Sequence, residues 1–586
     1  MAIIKTIIGG LGAATGAYAL GKYLGKAAKE RKIEELPITG RQVTQLAKLN
    51  LPMGEPYNNG TALTPPMGWS SWNTFRNRIS EKLVLEIAEA MEKSGLAAAG
   101  YQYLNIDDCW QSAQRDPNGR LQADLVTFPS GIPALVRQVN ARGIKLGIYS
   151  SNGTYTCEEL PASLGKEALD ARTFAERGVE YLKYDFCHNE VIPMRAPCIE
   201  KIAVSALGSG EERYYSVEDA VLEDGAVIVE DEKLETGRYV SGLSFGGGAV
   251  VFPGVMAEED GLYALTLCIR KKSHSRKFAV IEVNGEFAAD TVVAPTWAMT
   301  KEGRHQLLVR LRAGENEIRI FNPIASRIDS AAYQYATMGR ELKKATAEYA
   351  GAAGVPEKKI TFSICEWGMR MPWKWGRPAG NLWRTTIDIK PFWLSILAIY
   401  EINVRLHGHA GPGGWNDPDM LEVGNGGLNF EENKAHFSLW CMMAAPLILG
   451  NDLRKFLKAD GTPDTANTAY QIVTNADLIA IDQDPLGLQC RRIASTGLQD
   501  TLLKPLAGGD VAVCFFNKAS ETRHFTLRMN TAAAQEYVEL PFASSYRVVD
   551  LWTKCEGVIE DEFNVNVPPH GVKVFRISAV GAPDEN

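Results

Sequence analysis

The stretch YLKYDFC, residues 181–187, ends an apolar and aromatic run on Lys183 and Asp185. Side chains two apart share one face of a strand, so a cation and a carboxylate would point the same way. One such pair is an ordinary salt bridge at a strand end. The arrangement recurs, however: Trp69 and Trp72, Asp107 and Asp108, Tyr149, Glu366 and Trp367, Arg384 and Asp388, Asp417 and Asp419, and Asn451 and Asp452 each follow a short apolar run. Several carboxylates gathered with two cations and aromatic faces, and with no metal-ligand spacing, suit acid–base and nucleophilic work on a polyhydroxylated ring. Paired carboxylates flanking a bond are what glycoside hydrolysis needs. Asp185 is expected to stay ionised as the nucleophile, because the neighbouring Lys183 lowers its pKa. Asp388 is expected to start protonated as the acid, its pKa raised by an apolar, Trp-lined setting. Arg384, four residues before Asp388, opposes this, and an Arg384–Asp388 ion pair is the structural alternative.

These residues can meet only if the runs that carry them end at one mouth. From Thr64 onward apolar runs alternate with helical patterns: MGWSSW, the helix SEKLVLEIAEAMEKSG with Ser80 as N-cap and Gly95 as stop, YQYLNIDDCW, SGIPALVRQVNARG, KLGIYSSNG, KEALDARTFAERG and YLKYDFC. Such alternation means a parallel sheet with helices on its faces. Between 195 and 326 the helical period disappears, and segments such as GLYALTLCIR and KFAVIEVNGEF read as strands of a β-sandwich. The alternation then resumes from KITFSICEWG to PLILGND, giving four units before the break and four after it. The fold class expected is α/β: a (β/α)8 TIM barrel interrupted after strand 4 by an inserted β-sandwich, followed by a C-terminal antiparallel β-sandwich. The boundaries read as a leader over 1–62, the barrel's first half over 63–194, the insert over 195–326, the second half over 327–486 and the terminal sandwich over 487–586. Barrel active sites lie at the C-terminal ends of the strands, which is where the acids fall.

The totals exclude several other classes. A chain of 586 residues is too long for one core, and 45% hydrophobic with 23% charged residues is ordinary for a folded protein. A net charge of −8 argues against a nucleic-acid surface. The 10 Cys include no CxxC and the 8 His no HExxH, so no metal site is expected, and there is no P-loop or GxGxxG after a strand. GLSFG (242–246) spells a nucleophile-elbow motif but lies in a β-rich stretch with no helix following, and GWSSW lacks the pattern. The first 32 residues have a weak Gly/Ala-rich apolar run, an Ala17-Tyr18-Ala19 cleavage-like triplet and a basic cluster from Lys22 to Lys32. The run is too short for an integral membrane span. The reading leans towards a surface-lying leader on a cytoplasmic chain over a cleaved signal.

TPPMGWSSWNTF, YLNIDDCW, GIYSSNGTYTC, YLKYDFC, EWG, NLWRTTIDI and HAGPGGWNDPDML together resemble the family 27 glycoside hydrolases, the α-galactosidase family, over roughly 64–194 and 327–586. The resemblance implies a retaining exo-α-galactosidase that removes terminal α-linked galactose and needs no cofactor for catalysis. It implies Asp185 as the nucleophile that forms a galactosyl-enzyme and Asp388 as the acid/base, their carboxyls about 5–5.5 Å apart. It places Asp107 and Asp108 on the galactose 4- and 6-hydroxyls, Lys183 on the 3- and 4-hydroxyls, and Arg384 with Glu366 at the 2-position. Trp72, Tyr149 and Met420 would form walls, with Trp367 and Asp419 beside them. Cys157 and Cys187 match a pair that is bridged in many relatives. Glu366 would clash with an acetamide, which favours galactose over N-acetylgalactosamine, and the Asp107–Asp108 pair suits a sugar that has a 6-hydroxyl. The chain departs from the family at Phe186, and at Ser151 and Asn152, where relatives often carry Asn and Asp-Ala. The readings left open are a same-family enzyme for α-N-acetylgalactosamine, β-L-arabinopyranose or a glucan, and a sugar-binding protein with an inactive site. A homo-oligomer is also left open.

The insert, through YYSVEDAVLEDGAVI, IEVNGEF and LRAGENEIRIF, resembles carbohydrate-binding modules of families 6 and 35. That resemblance raises a structural calcium, with Glu218 as a candidate ligand, and Trp297 as an aromatic for a sugar platform. The alternative is a sandwich that binds neither. Because the insert follows the strand bearing Asp185, it is expected to shape the leaving-group side.

Overall fold

The computed structural model describes residues 49, 51, 54–270, 275–294 and 302–580. The leader over 1–32, with its Ala17-Tyr18-Ala19 triplet, and Trp297 lie outside the described residues.

Eight parallel strands form one sheet: β1 (Met67–Ser70), β2 (Tyr103–Asn105), β3 (Lys145–Ser151), β4 (Tyr181–Asp185), β5 (Thr361–Ile364), β6 (Leu382–Arg384), β7 (Trp415–Asp417) and β8 (Leu447–Leu449). Their order is β7-β6-β5-β4-β3-β2-β1-β8, so the last strand returns to the first, with Met67 opposite Leu447. Between β7 and β8 the ring closes through a single parallel bridge, Leu421 to Leu449. Strands of three to seven residues suffice because the helices cover them, and their residues are almost all buried. Inside the ring, space is short: a Cβ on Gly147 of β3 would lie 1.9 Å from Asn105 Oδ1 of β2.

The helices start where the sequence supplies caps. Ser80 Oγ accepts the N–H of Leu83 to open α1 (Glu81–Lys93). Then come α2 (Gly131–Asn140), α3 (Glu167–Arg177), α4 (Arg327–Ala353), α5 (Trp393–Asn403) and α6 (Phe430–Met442). Asn429 and Glu432 form a reciprocal capping box on α6. The unit after β5 has only one helical turn, Pro372–Trp375. No helix among the described residues is long and apolar enough to cross a membrane.

Contacts divide the chain into two compact units. Residues 190–334 belong to the insert, a five-stranded and a six-stranded sheet around a core that includes Ile199, Val240, Leu265, Ile281 and Ile320. This unit is slightly wider than the 195–326 read from sequence, because α4 already begins at Arg327 and its first residues group with the insert. The C-terminal sandwich pairs a six-stranded sheet with the two strands Arg523–Arg528 and Glu562–Val567, packed on Phe515, Phe525, Phe563 and Phe575. It groups with the barrel in one unit.

A buried ion cluster fastens that junction. Lys518, at 3% side-chain exposure, is 2.8 Å from both Glu401 of α5 and Asp500 of the sandwich. Arg492 adds contacts of 2.9 Å to Glu401 and 3.4 Å to Asp500. Burial works against ionisation of Glu401, yet Lys518 and Arg492 hold its pKa at about 2. Removing Lys518 leaves two buried carboxylates to the single cation Arg492, at a cost of about 3–5 kcal/mol. The expected outcome is that Lys518→Met loses about that much stability in urea denaturation near neutral pH. A loss under about 1 kcal/mol, the size of an exposed pair, would contradict the assignment.

Candidate active site

A pocket of about 170 Å³ gathers residues from the C-terminal ends of the barrel strands. Lys183 and Asp185 stand two apart at the end of β4, and Tyr149 stands on β3. Asp107 and Asp108 follow β2, Trp72 follows β1 and Trp367 follows β5. Arg384 closes β6, Asp388 lies four residues on, and Asp419 and Met420 follow β7. Two of these residues hold left-handed backbone, Trp367 at φ 61° and Asp419 at φ 80°. Such conformations cost on the order of 1–3 kcal/mol, and around Asp419 a dense set of hydrogen bonds holds them. Its N–H donates to Asp417 Oδ1 at 2.8 Å, its carboxylate accepts from the N–H groups of Ile389 and Met420 at 2.8 Å each, and Trp440 Nε1 donates to its carbonyl at 2.9 Å.

The polar network pairs the groups more specifically than the strand pattern suggested. Lys183 Nζ donates to Asp107 Oδ2 at 2.7 Å, so the cation beside Asp185 is bonded to the residue beyond β2, two strands away. Asp107 is held further by Ser71, whose Oγ accepts its N–H at 2.9 Å. Asp108 accepts the N–H groups of Cys109 at 2.8 Å and Glu158 at 3.0 Å, yet burial still pushes its pKa up to about 6. Asp185 accepts the Tyr149 hydroxyl at 3.2 Å on one oxygen and the Phe186 N–H at 2.8 Å on the other. Arg384, with a 4% exposed side chain, places Nη2 3.0 Å from both Asp388 and Asp419, and Nη1 3.5 Å from Cys365 Sγ.

Both pKa expectations reverse. Asp185 is raised to about 6, because burial, aided by the charges of Asp388 and Asp107, outweighs Lys183 and the Phe186 N–H. Asp388 is lowered: burial raises it, but Arg384, Lys183 and Lys390 together prevail. Its side chain remains 58% exposed at the pocket's edge, whereas that of Asp185 is buried. The ion pair read as the structural alternative for Asp388 is therefore present, in the same pocket as Asp185.

Glu366 is the expected site residue that the structure does not bring to the pocket wall. Its side chain is fully buried and turned to Arg370, whose N–H donates to Oε2 at 2.9 Å and whose Nη1 donates to Oε1 at 3.2 Å. Burial pushes its pKa up to about 7. Held there by Arg370, it is not among the residues that line the pocket, where the exclusion of an acetamide requires it. Phe186 packs away from the pocket, stacked on Tyr335 with ring centroids 6.1 Å apart and covered by the Arg370 guanidinium at 4.3 Å. Cys157 and Cys187 are bridged, and Cys157 Sγ lies 3.9 Å from Asp185 Oδ2. In the insert, the Glu218 carboxylate is 3.3 Å from Arg238. Among the described residues Glu218 belongs to no cluster of three His, Cys, Asp or Glu ligand atoms.

Sequence reasoning missed Asn73 and Arg76 in the pocket wall, Cys365 beside Arg384, and Ser71 behind Asp107. The signal for Ser71 is GWSSW, whose second Ser follows the first barrel run. GLSFG leads into the strand Ala249–Ala257 with no helix, as expected.

Comparison with known proteins agrees with this geometry. A family model described as "Alpha galactosidase A" matches residues 64–229 and 334–484, leaving most of the insert outside it. A second, "Alpha galactosidase C-terminal beta sandwich domain", matches 496–577. The α-galactosidase of Cyamopsis tetragonoloba is 30% identical over 519 residues, 88% of this chain and 87% of that protein. Alpha-galactosidase A of Cellvibrio japonicus is 31% identical over 88% of this chain and 92% of its own. The crystal structure of α-galactosidase I from Mortierella vinacea superposes with a TM-score of 0.61 at 26% identity, covering 90% of this chain and 100% of that one. A β-L-arabinopyranosidase from Geobacillus stearothermophilus, at 16% identity and a TM-score of 0.55 over 89% of this chain and 98% of its own, shares the fold. With its barrel and its terminal sandwich both matched, the chain belongs to the α-galactosidase family, family 27 of the glycoside hydrolases.

Proposed function

We propose that this protein is a retaining exo-α-galactosidase that hydrolyses terminal α-linked galactose from oligosaccharides or glycoconjugates. The observation that carries the reading is that Asp185 and Asp388 line one small pocket, about 170 Å³, together with carboxylates, cations and aromatic faces suited to the hydroxyls and ring of a single terminal sugar. Asp185 attacks the anomeric carbon while Asp388, at the exposed edge, protonates the departing glycosidic oxygen. Asp388, then ionised, takes a proton from the water that cleaves the galactosyl-enzyme. The relatives named above as α-galactosidases, about 30% identical over most of the chain, support galactose as the sugar.

The two pKa directions oppose the working state: Asp185 keeps a proton more readily than an ordinary carboxyl and Asp388 less readily, whereas catalysis needs Asp185 ionised and Asp388 protonated. Tyr149 and the Phe186 N–H stabilise the Asp185 anion once it forms. Protonated Asp388 would lie nearest the leaving oxygen, because its side chain reaches the open edge.

A second reading, an α-N-acetylgalactosaminidase, is favoured by one observation: Glu366 faces Arg370 and does not stand in the pocket to exclude an acetamide. A matched panel of aryl α-galactoside, α-N-acetylgalactosaminide, β-L-arabinopyranoside and α-glucoside separates the readings. The expected result is a preference for the α-galactoside, with Asp185→Ala losing about 10⁴-fold or more in kcat. Preference for another sugar would overturn the substrate assignment, and a fully active Asp185→Ala the mechanism.

The pH dependence follows from the raised pKa of Asp185. With a dinitrophenyl α-galactoside the leaving group needs no acid, so kcat/KM requires only that Asp185 be ionised in the free enzyme. It is expected to fall as pH drops through about 6. In Asp388→Asn the limb moves to lower pH, because the Asp388 charge is one of the causes that raise Asp185. A limb near 4 in the parent protein would contradict the burial argument.

A further inference from the structure

Next to the catalytic pocket lies a second cavity of about 300 Å³. The two share Trp72, Asn73, Arg76 and Asp388, so the second continues outward from the side of the catalytic acid. Whatever leaves the galactosyl group must pass through that direction, because its oxygen takes the proton that Asp388 gives.

The charges of this cavity do not cancel by pairing. Its three carboxylates are each engaged. Arg454 chelates Asp452 at 2.8 and 2.9 Å. Glu422 accepts the side-chain amides of Asn73, at 2.8 Å, and Asn425, and burial raises its pKa. Asp388 is bound to Arg384 at 3.0 Å. The three cations in the wall, Arg76, Lys390 and Lys455, are exposed, and among the described residues none of them is within ion-pair distance of a carboxylate. Arg76 lies over the Trp72 ring, 5.8 Å from its centroid. They come from three separate segments, following β1, β6 and β8, and so share one cavity only in the folded chain.

We propose that this cavity is a leaving-group subsite for an anionic aglycone, one that carries a carboxylate, sulfate or phosphate close to the galactosidic oxygen. An anion placed there meets three cations that form no ion pair among the described residues, so it displaces no existing pair. The inference rests on the glycosidase reading of the adjoining pocket and adds the charge of the group that is released.

The test compares aryl α-galactosides that bear a meta-carboxylate, a meta-sulfonate, a meta-phosphate or a neutral meta-carboxamide, at low ionic strength and again in 1 M NaCl. The expected result is a kcat/KM roughly three- to tenfold higher for the anionic substrates, as a few exposed charge contacts provide, which shrinks in high salt. The ranking of carboxylate, sulfonate and phosphate identifies which anion the cavity fits. In the double variant Lys390→Gln, Lys455→Gln the anionic-to-neutral ratio should approach one, and reading the ratio removes any general change in activity. Equal rates for all four, or preference for the carboxamide, would overturn the subsite while leaving the galactosidase reading intact. Cleavage of none of them would overturn that reading, and the subsite with it.

Discussion

A guanidinium buried at the end of β6 organises the barrel mouth. Arg384 can stay charged at 4% side-chain exposure only because Asp388 and Asp419 both lie 3.0 Å from it and the Thr386 carbonyl accepts from Nη2 at 3.2 Å. Burying such a group unpaired would cost several kcal/mol, so the loops after β6 and β7 must bring their acids to it. Lys183 plays the same part on the other side, where Asp107 at 2.7 Å answers its charge. Arg384 takes one carboxylate from its own loop after β6 and one from the loop after β7, and Lys183 takes its carboxylate from beyond β2, so the ion pairs tie separate strand ends together at the face where a substrate would enter.

That constraint also sets the proton inventory. Arg384 outweighs burial to hold the Asp388 carboxyl low, while Asp185, more deeply buried and with Lys183 bonded to Asp107, is raised to about 6, as Asp108 is by its own burial. The proposed mechanism needs the opposite order, with Asp185 ionised and Asp388 protonated. A substrate that excludes water and places its leaving oxygen beside Asp388 favours a proton there.

Much of this was legible in the sequence. The alternation of apolar runs and helical patterns, with Ser80 as a cap, gave the strand and helix order, and the spacing of Lys183 and Asp185 placed both on one face, as observed. Eleven of the twelve residues expected to act on or bind substrate line the pocket at the strand ends, where a barrel mouth requires them, and Glu366 shows why position alone is not enough. Strand β5 ends at Ile364, and the left-handed turn at Trp367 leaves Trp367 in the wall and Glu366 on Arg370. Nothing in the letters CEWG displays that turn. The pKa reversal was illegible for a related reason: adjacency in sequence made Lys183 the partner of Asp185, but the folded chain gave it to Asp107 across the sheet. The cavity cations at 76, 390 and 455 are remote in sequence, and only the barrel brings them together.

The most direct test of the account is covalent trapping. The protein would be incubated with an activated fluorinated α-galactoside whose glycosyl-enzyme turns over slowly, then digested and mapped by mass spectrometry. The account predicts one sugar per chain, on the peptide that carries Asp185. A label on Asp388 or Asp107 instead, or turnover with inversion and no adduct, would contradict it.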